Sequence, residues 1–240
     1  MVYELFYWPS IQGRGEFVRL SLEEARAAYV DVARESRPGA GMGRMMRTLR
    51  AGPRPPFAPP FLKAGRVLIG QTANILMFLG ARHGLAPRSA AGRLWVHQLQ
   101  LTITDFVAEV HDTHHPIAAG LYYHDQQPEA RRRAADFLAH RVPKFFGYFE
   151  DILAHNRRDE RYMAGAKPSY VDLSLFQVVA GMSYAFPNAM AKAARRHRRL
   201  FALHARIQER ARIAAYLASP RRIAFNEDGI FRHYPELDIA

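Results

Sequence analysis

The hydrophobic pattern of the chain changes near residue 85, and this change restricts the folds that the chain can adopt. Before that point, segments that alternate with a period of two are interleaved with segments of helical spacing, which indicates strands and helices in one unit. After residues 84–88, which contain glycine and proline, the segments have helical spacing. We therefore predict an α/β domain over residues 1–83 and an all-helical domain over residues 89–240.

The spacing in the first domain predicts the element order βαβ-ββα. Residues 35–57 are rich in glycine, proline and arginine, so we expect a loop there with at most one short helix, at residues 44–49. The other predicted elements are a strand at 2–8, a helix at 14–27, a strand at 29–32, a hairpin with strands at 61–62 and 67–69, and a helix at 72–83.

The second domain is predicted to contain five helices. We expect Pro143 to bend the second of them, because proline removes a backbone hydrogen bond. Ser169 and Asp172 have the spacing of a capping box at the start of the third. The predicted helices cover residues 89–115, 128–156, a segment that begins at 169, 200–209 and 212–218.

Length and composition exclude several classes of protein. A chain of 240 residues with 49% hydrophobic residues is long enough to bury a core without disulfides or a structural metal. It has no cysteine, which excludes redox pairs, cysteine nucleophiles and zinc sites with sulfur ligands. The longest apolar stretches fall far short of the roughly 20 residues that span a bilayer, and no secretory signal is evident. We expect a cytoplasmic protein without membrane contact.

The net charge of +12 raises the question of nucleic-acid binding. Almost all of the positive charge is arginine, and the densest cluster, at residues 195–199, has no aromatic residues interleaved for base stacking. A solvated basic face is therefore the favoured interpretation, and we predict no nucleic-acid partner.

Short motifs in both halves point to one family. In the first half they are Tyr7-Trp8-Pro9, Gly13-Arg14-Gly15-Glu16 with Arg19, Pro60-Phe61-Leu62 and residues 70–76; in the second they are residues 165–175 and 213–220. In this order and spacing, the chain resembles a cytosolic glutathione transferase of the tyrosine-dependent, bacterial type over nearly its whole length. The resemblance implies a thioredoxin-like first domain that binds glutathione and a helical second domain with a pocket for a hydrophobic electrophile.

The chemistry of such a site requires a hydrogen-bond donor for sulfur. A free thiol with a pKa of about 8.5 is only a few per cent ionised at neutral pH, and a donor to sulfur lowers that pKa. The resemblance places the catalytic hydroxyl at Tyr7. Two alternatives stay open: Tyr7 is a core aromatic like its neighbour Tyr3, or Ser10 is the donor, since there is one more residue between Tyr7 and Gly13 than in the tyrosine pattern.

Gln71 and Thr72 lie where the last strand meets its helix, and a helix start favours a carboxylate. By resemblance this carboxylate is the γ-glutamyl group of glutathione, with Arg14 as the matching cation. Alternatively, Thr72 caps the helix. The alternative for Arg14 is an ordinary exposed arginine without a ligand.

By resemblance, Pro60 is the cis-proline beside the ligand. The residue before it, Pro59, has no N–H and so offers glutathione only its carbonyl oxygen. The glycyl carboxylate of glutathione requires another cation. The candidates are Arg44, Arg47 and Arg50.

The first long helix carries the remaining candidates. By resemblance, Asp105 crosses a dimer interface to the γ-glutamyl amine, and His111 and His115 line the electrophile pocket beside Trp8. The two histidines also allow a metal site, but no HExxH motif or third ligand completes it, so we predict no metal. Phe57 is a candidate aromatic key at the dimer interface.

The sequence thus predicts a homodimeric enzyme of detoxification. It uses glutathione as a co-substrate without a prosthetic cofactor and transfers the thiolate to a hydrophobic electrophile. The alternative is a protein of the same fold that binds glutathione or another ligand without catalysis.

Overall fold

The computed structural model describes residues 1–156 and 161–238. Its first part is a four-stranded sheet with three α-helices, in the order that the sequence predicts. The elements are β1 (Tyr3–Phe6), α1 (Gly15–Glu24), β2 (Tyr29–Asp31), α2 (Gly41–Leu49), β3 (Phe61–Ala64), β4 (Val67–Gly70) and α3 (Thr72–His83). The α2 helix begins three residues before the predicted short helix, and β1 ends at Phe6, so Tyr7 lies just beyond the strand rather than within it.

The strand order in the sheet is β2-β1-β3-β4. The β1 strand is parallel to β2 and antiparallel to β3, and β3 is antiparallel to β4. Because side chains alternate between the two faces of a strand, Leu5 packs with Val18 of α1 and Ile75 of α3, while Phe6 packs with Met45 of α2. Two helices therefore cover one face of the sheet and α2 covers the other.

The second part consists of helices. They are α4 (Ala90–Asp112), α5 (Gln127–Asp136), α6 (Val142–His155), α7 (Tyr170–Ala185), α8 (Pro187–Arg196), α9 (Arg198–Gln208) and α10 (Ala211–Leu217). The α4 helix ends at Asp112, so the prediction that it reaches His115 is wrong. The predicted helix at 128–156 is α5 and α6 joined by a π-helical turn at Phe137–Arg141, just before Pro143, because proline cannot donate to the carbonyl four residues earlier.

The α8 helix was not predicted. It begins at Pro187, which is tolerated in the first turn because that position has no intrahelical N–H to lose. Its buried residues are only Met190 and Ala193, so the apolar stripe is too short to stand out from the arginine-rich sequence around it. The predicted capping box at the start of α7 is present: Asp172 accepts hydrogen bonds from the backbone N–H and the hydroxyl of Ser169, both at 2.7 Å.

The segment after α10 returns to the first part of the chain. The carbonyl of Ile223 accepts a hydrogen bond of 2.5 Å from Gln12, and Arg222 forms an ion pair with the buried Glu16. Glu16 also accepts a 2.7 Å hydrogen bond from Tyr216 of α10. These contacts join the C-terminal segment to α1. The division into domains at residues 84–88, between α3 and α4, stays a proposal.

Candidate functional site

Tyr7 lies in the turn between β1 and α1, with only 4% of its surface exposed. Its hydroxyl oxygen accepts a hydrogen bond of 2.8 Å from the backbone N–H of Arg14, the residue that precedes α1. Burial raises the pKa of Tyr7, so the phenol keeps its proton at neutral pH. An accepted hydrogen bond leaves that proton free, and Tyr7 is therefore able to donate it to a further group.

A cavity of about 320 Å³ lies between the start of α3 and the middle of α4. Arg14, Gln71 and Thr72 line it together, as the sequence predicts for a carboxylate site. The side-chain oxygen Oγ1 of Thr72 is buried and has no hydrogen-bond partner in the described part of the chain. The N-cap of α3 is Gln71 and no side chain caps this helix end, so the interpretation of Thr72 as the cap is wrong.

Gln71 has backbone angles that few side chains tolerate. Its φ is 66°, in the left-handed region, and it is one of two non-glycine residues with positive φ in the described ranges. The turn directs the chain from β4 into α3 and leaves Gln71 exposed beside Thr72. Outliers of this kind cluster at ligand sites, because the surrounding structure must hold them in place.

The peptide bond between Pro59 and Pro60 is cis. Pro60 is buried directly before β3, and Pro59 is partly exposed. Neither residue has a backbone N–H, so this turn offers a ligand carbonyl oxygens alone.

Ser10, the rival hydroxyl, is exposed. Its carbonyl accepts a hydrogen bond of 2.8 Å from Asn226 of the C-terminal segment. Trp8 is 37% exposed in the same turn. It makes no ring contact with His111 or His115 within the described ranges.

Three histidines in mutual contact lie at the end of α4 and in the turn that follows it. The rings of His111 and His115 stack at 4.8 Å between centroids. Between them lies His114, which the sequence analysis did not select: its Nδ1 is 2.5 Å from Nδ1 of His115, and its Nε2 is 2.8 Å from the carbonyl oxygen of Ile230. The C-terminal segment therefore meets α4 at this cluster.

Burial lowers the pKa of all three histidines. The pKa of His111 is lowered, that of His114 falls to about 3 and that of His115 to about 4. Arg232 in the C-terminal segment acts in the same direction on each of them. The cluster is therefore neutral at physiological pH and presents uncharged aromatic rings. Within the described residues, no group of three or more histidine, aspartate or glutamate side chains is placed to hold a metal ion.

Asp105 and Phe57 are exposed on the surface. Asp105 projects from α4 and is not part of the cavity lining, although its neighbour Thr104 is. Phe57 is 93% exposed, in the loop before β3. Neither residue lines the cavity between α3 and α4.

The three arginines considered for the glycyl carboxylate lie on or directly after α2. Arg44 forms an ion pair with Glu4 of β1 and is thus engaged within the protein. Arg47 and Arg50 form no ion pair in the described part of the chain, so they remain the candidates.

Arg19, a residue of the motif in α1, is fully buried. It contacts Asp31 of β2 at 2.7 Å and Glu16 at 3.2 Å, and its guanidinium carbon lies 5.8 Å from the centre of the Tyr7 ring. A buried charge is tolerable only with such partners. Arg19 therefore stabilises the turn that holds Tyr7.

None of the helices in the ranges described is long and apolar enough to span a membrane.

Comparison with known proteins gives a consistent result. Residues 111–220 match the family model of the glutathione S-transferase C-terminal domain. A glutathione S-transferase of Plasmodium yoelii yoelii is 20% identical over 179 residues, which cover 75% of this chain and 78% of that protein. One of Plasmodium falciparum is 20% identical and covers 78% of this chain and 83% of that protein.

Solved structures share the fold. A monomeric glutathione S-transferase of the hookworm Necator americanus superposes with a TM-score of 0.72 at 18% identity, covering 94% of this chain and all of that one. Prostaglandin synthase D of Nilaparvata lugens gives a TM-score of 0.70 at 20% identity, covering 92% and 98%. The thioredoxin-like first domain and helical second domain predicted from the sequence are thus confirmed as a fold. Together with the match of residues 111–220 to the family model and the curated relatives, they support the assignment of the chain to the glutathione transferases.

Proposed function

We propose that the protein transfers the thiolate of glutathione to a hydrophobic electrophile and that Tyr7 stabilises this thiolate. The observation that carries the proposal is the buried Tyr7 hydroxyl, which accepts from the N–H of Arg14 and has its own proton available. A hydrogen bond to sulfur favours the anion over the thiol, and each unit of lowered thiol pKa corresponds to about 1.4 kcal/mol.

The cavity at the start of α3 supports glutathione as the thiol. Arg14 lines it and forms no ion pair within the described ranges, Thr72 offers an unpartnered hydroxyl, and the helix start offers backbone N–H groups. A carboxylate accepts hydrogen bonds from all three kinds of donor. Gln71 and the carbonyl of Pro59 complete the proposed glutathione contacts, with Pro60 fixing the turn.

The neutral histidines at the end of α4 support an apolar second substrate. His111 and His115 present stacked, uncharged rings, and Trp8 adds an exposed indole in the turn after β1. We place the electrophile between these elements. With an aryl halide, a carbon–sulfur bond forms and the halide leaves, so no prosthetic cofactor is required.

The proposal predicts the behaviour of Tyr7→Phe. We expect kcat/KM for conjugation of 1-chloro-2,4-dinitrobenzene to fall at least 10-fold, while the affinity for glutathione measured by calorimetry changes less than 3-fold. Ser10→Ala is the control and should retain the native rate, because Ser10 is exposed. A native rate in Tyr7→Phe together with a loss in Ser10→Ala would move the role to Ser10.

A homodimer is the proposed assembly. The cavity formed by β4, α3 and the start of α4 is lined by Val67, Met77 and Leu94, whose exposed fractions are 54%, 40% and 72%. Such a patch favours burial against a partner. Asp105 and Phe57, exposed in this chain, are the residues we propose to reach the second subunit, with Asp105 directed to the γ-glutamyl amine.

The second candidate function is glutathione binding without catalysis. Pro59 favours it, because the missing N–H removes a contact to glutathione at the turn before β3. The same two measurements on the native protein separate the two functions. Binding of glutathione without conjugation of 1-chloro-2,4-dinitrobenzene would support this second candidate.

By family resemblance we also propose a cytoplasmic location and a role in detoxification.

A further inference from the structure

A second cavity lies on the helical part of the chain, among elements that contribute no proposed site residue. Its volume is about 310 Å³, and it lies between α8 and the stretch that joins α5 to α6. The walls are mainly apolar, with Leu138, Val142 and Met190 among them. This volume and lining fall in the range of small-molecule pockets.

The cavity exists because small side chains face each other across it. Ala135 and Ala139 lie on one side, and Ala189 and Ala193 on the other, each pair separated by one helical turn. The π-helical turn at Phe137–Arg141 widens this part of the chain. The helices therefore pass each other without filling the space between them.

The rim of the cavity is basic and lacks counter-ions. Lys192 and Arg196 line it, and neither forms an ion pair in the described part of the chain. Two acidic residues of the adjoining helices are engaged elsewhere: Glu150 accepts from the backbone N–H groups of Arg199 and Leu200 at 3.0 and 2.9 Å, and Asp136 lies 3.7 Å from Arg133. The positive charge at this rim is thus available to an external anion.

Stabilisation of α8 by cations near its C-terminal end explains only some of the positive residues at the rim. Arg195 and Arg196 lie in the last turn of α8, where cations complement the helix dipole. Lys192 lies one turn earlier, and it lines the cavity together with Arg196. His197, at the end of α8, also lines it, and its ring packs edge-on against Phe146 at 5.8 Å.

We propose that this cavity, the α8 groove, binds a small amphiphile with an apolar chain and one anionic group. The chain lies between the facing alanines of α8 and the π-helical turn. The carboxylate or sulfonate lies at Lys192 and Arg196, where the charges are complementary. The groove lies apart from Tyr7 and the cavity at α3, so its occupation does not require glutathione.

The probe is decanoate, measured by isothermal titration calorimetry with the folded full chain. The native protein should bind it in saturating S-hexylglutathione, and decanol should bind at least 5-fold more weakly. Lys192→Glu/Arg196→Glu should weaken decanoate binding at least 10-fold. Arg195→Glu, on the same helix but outside the lining, is the control and should change it less than 3-fold.

A steric variant tests the place of the chain. Ala139 is exposed at the edge of the groove, so Ala139→Phe should fill it and weaken binding at least 10-fold, whereas Ala191→Phe, exposed on α8 outside the lining, should not. The proposal fails if decanoate does not bind, or if both phenylalanine variants bind like the native protein. It also fails if Ala139→Phe alters only the oligomeric state, which would make the groove an interface between copies.

Discussion

Gly15 lies directly against the ring of Tyr7: a Cβ atom on Gly15 would be 2.5 Å from the ring carbon Cγ. Gly13 is equally close, since its Cβ would be 2.9 Å from Cζ of Tyr7, and its φ of 43° favours glycine in addition. Non-bonded carbon atoms do not approach each other this closely. The two glycines therefore allow the phenol to lie across the start of α1, where its hydroxyl meets the N–H of Arg14.

We predict that Gly15→Ala impairs catalysis without unfolding the protein. The added methyl group must displace the Tyr7 ring, and a shift of about 1 Å in a catalytic group costs on the order of 100-fold. We expect kcat/KM for 1-chloro-2,4-dinitrobenzene to fall at least 10-fold. Gly147→Ala in α6 is the matched control, because a Cβ there has no neighbour within 4 Å. Equal activities of the two variants would contradict a catalytic position for Tyr7.

Thr72→Val tests the cavity at α3. Because Oγ1 of Thr72 is buried without a partner, its removal should leave the free protein as stable as before or slightly more stable. A hydrogen bond to a carboxylate contributes about 1.5–3 kcal/mol, so we expect the dissociation constant of glutathione to rise 10-fold or more. Calorimetry measures the affinity and thermal unfolding measures the stability.

Thr104→Val is the control for this substitution. Thr104 lines the same cavity, but its hydroxyl donates to the carbonyl of Gln100 at 3.0 Å and has no proton left for a ligand. A loss of stability in Thr72→Val without a change in glutathione affinity would make Thr72 a structural residue only.

Local patterns predicted those elements whose signal is local. The α3 helix has the predicted bounds, because its apolar face and flanking glycines lie in one stretch of sequence. The order of elements along the first part of the chain, βαβ-ββα, followed from the same reasoning. By contrast, α8 has two buried residues and therefore no clear pattern of its own. Pro143 predicted a bend in the second helix of this part, but not that the break would be a π-helical turn.

The candidate site was predictable where it depends on a motif and hidden where it depends on contacts distant in sequence. Tyr7, Arg14 and Thr72 lie in short motifs of the first domain. The bond from His114 to Ile230 joins residues 116 positions apart, and that from Tyr216 to Glu16 joins residues 200 apart. Spacing rules describe neighbours within one helix or strand, so they give no signal for such pairs.

Leu94→Glu tests the proposed dimer. Leu94 is 72% exposed on the first turns of α4, beside Val67 and Met77, and a charge there cannot be buried without a partner. We expect the native chain to sediment as a dimer and the variant as a monomer. Leu121→Glu is the control, since Leu121 is 38% exposed outside that patch. A native monomer, as in the hookworm relative, would refute the assembly.

His204 should make the protein less stable in acid. Its ring stacks on Phe176 at 4.9 Å, and burial lowers its pKa to about 4. An unfolded histidine titrates near 6.5, so between pH 7 and 5 the unfolded chain takes up a proton that the folded chain does not, and stability falls by about 2 kcal/mol.

His204→Phe removes this contribution and retains the stacked ring. Urea unfolding at pH 7 and at pH 5 gives the loss of unfolding free energy between these pH values. We expect this loss to be about 2 kcal/mol smaller in the variant than in the native protein. If His204→Phe and the native protein lose equal stability between the two pH values, His204 already takes up its proton in the folded chain.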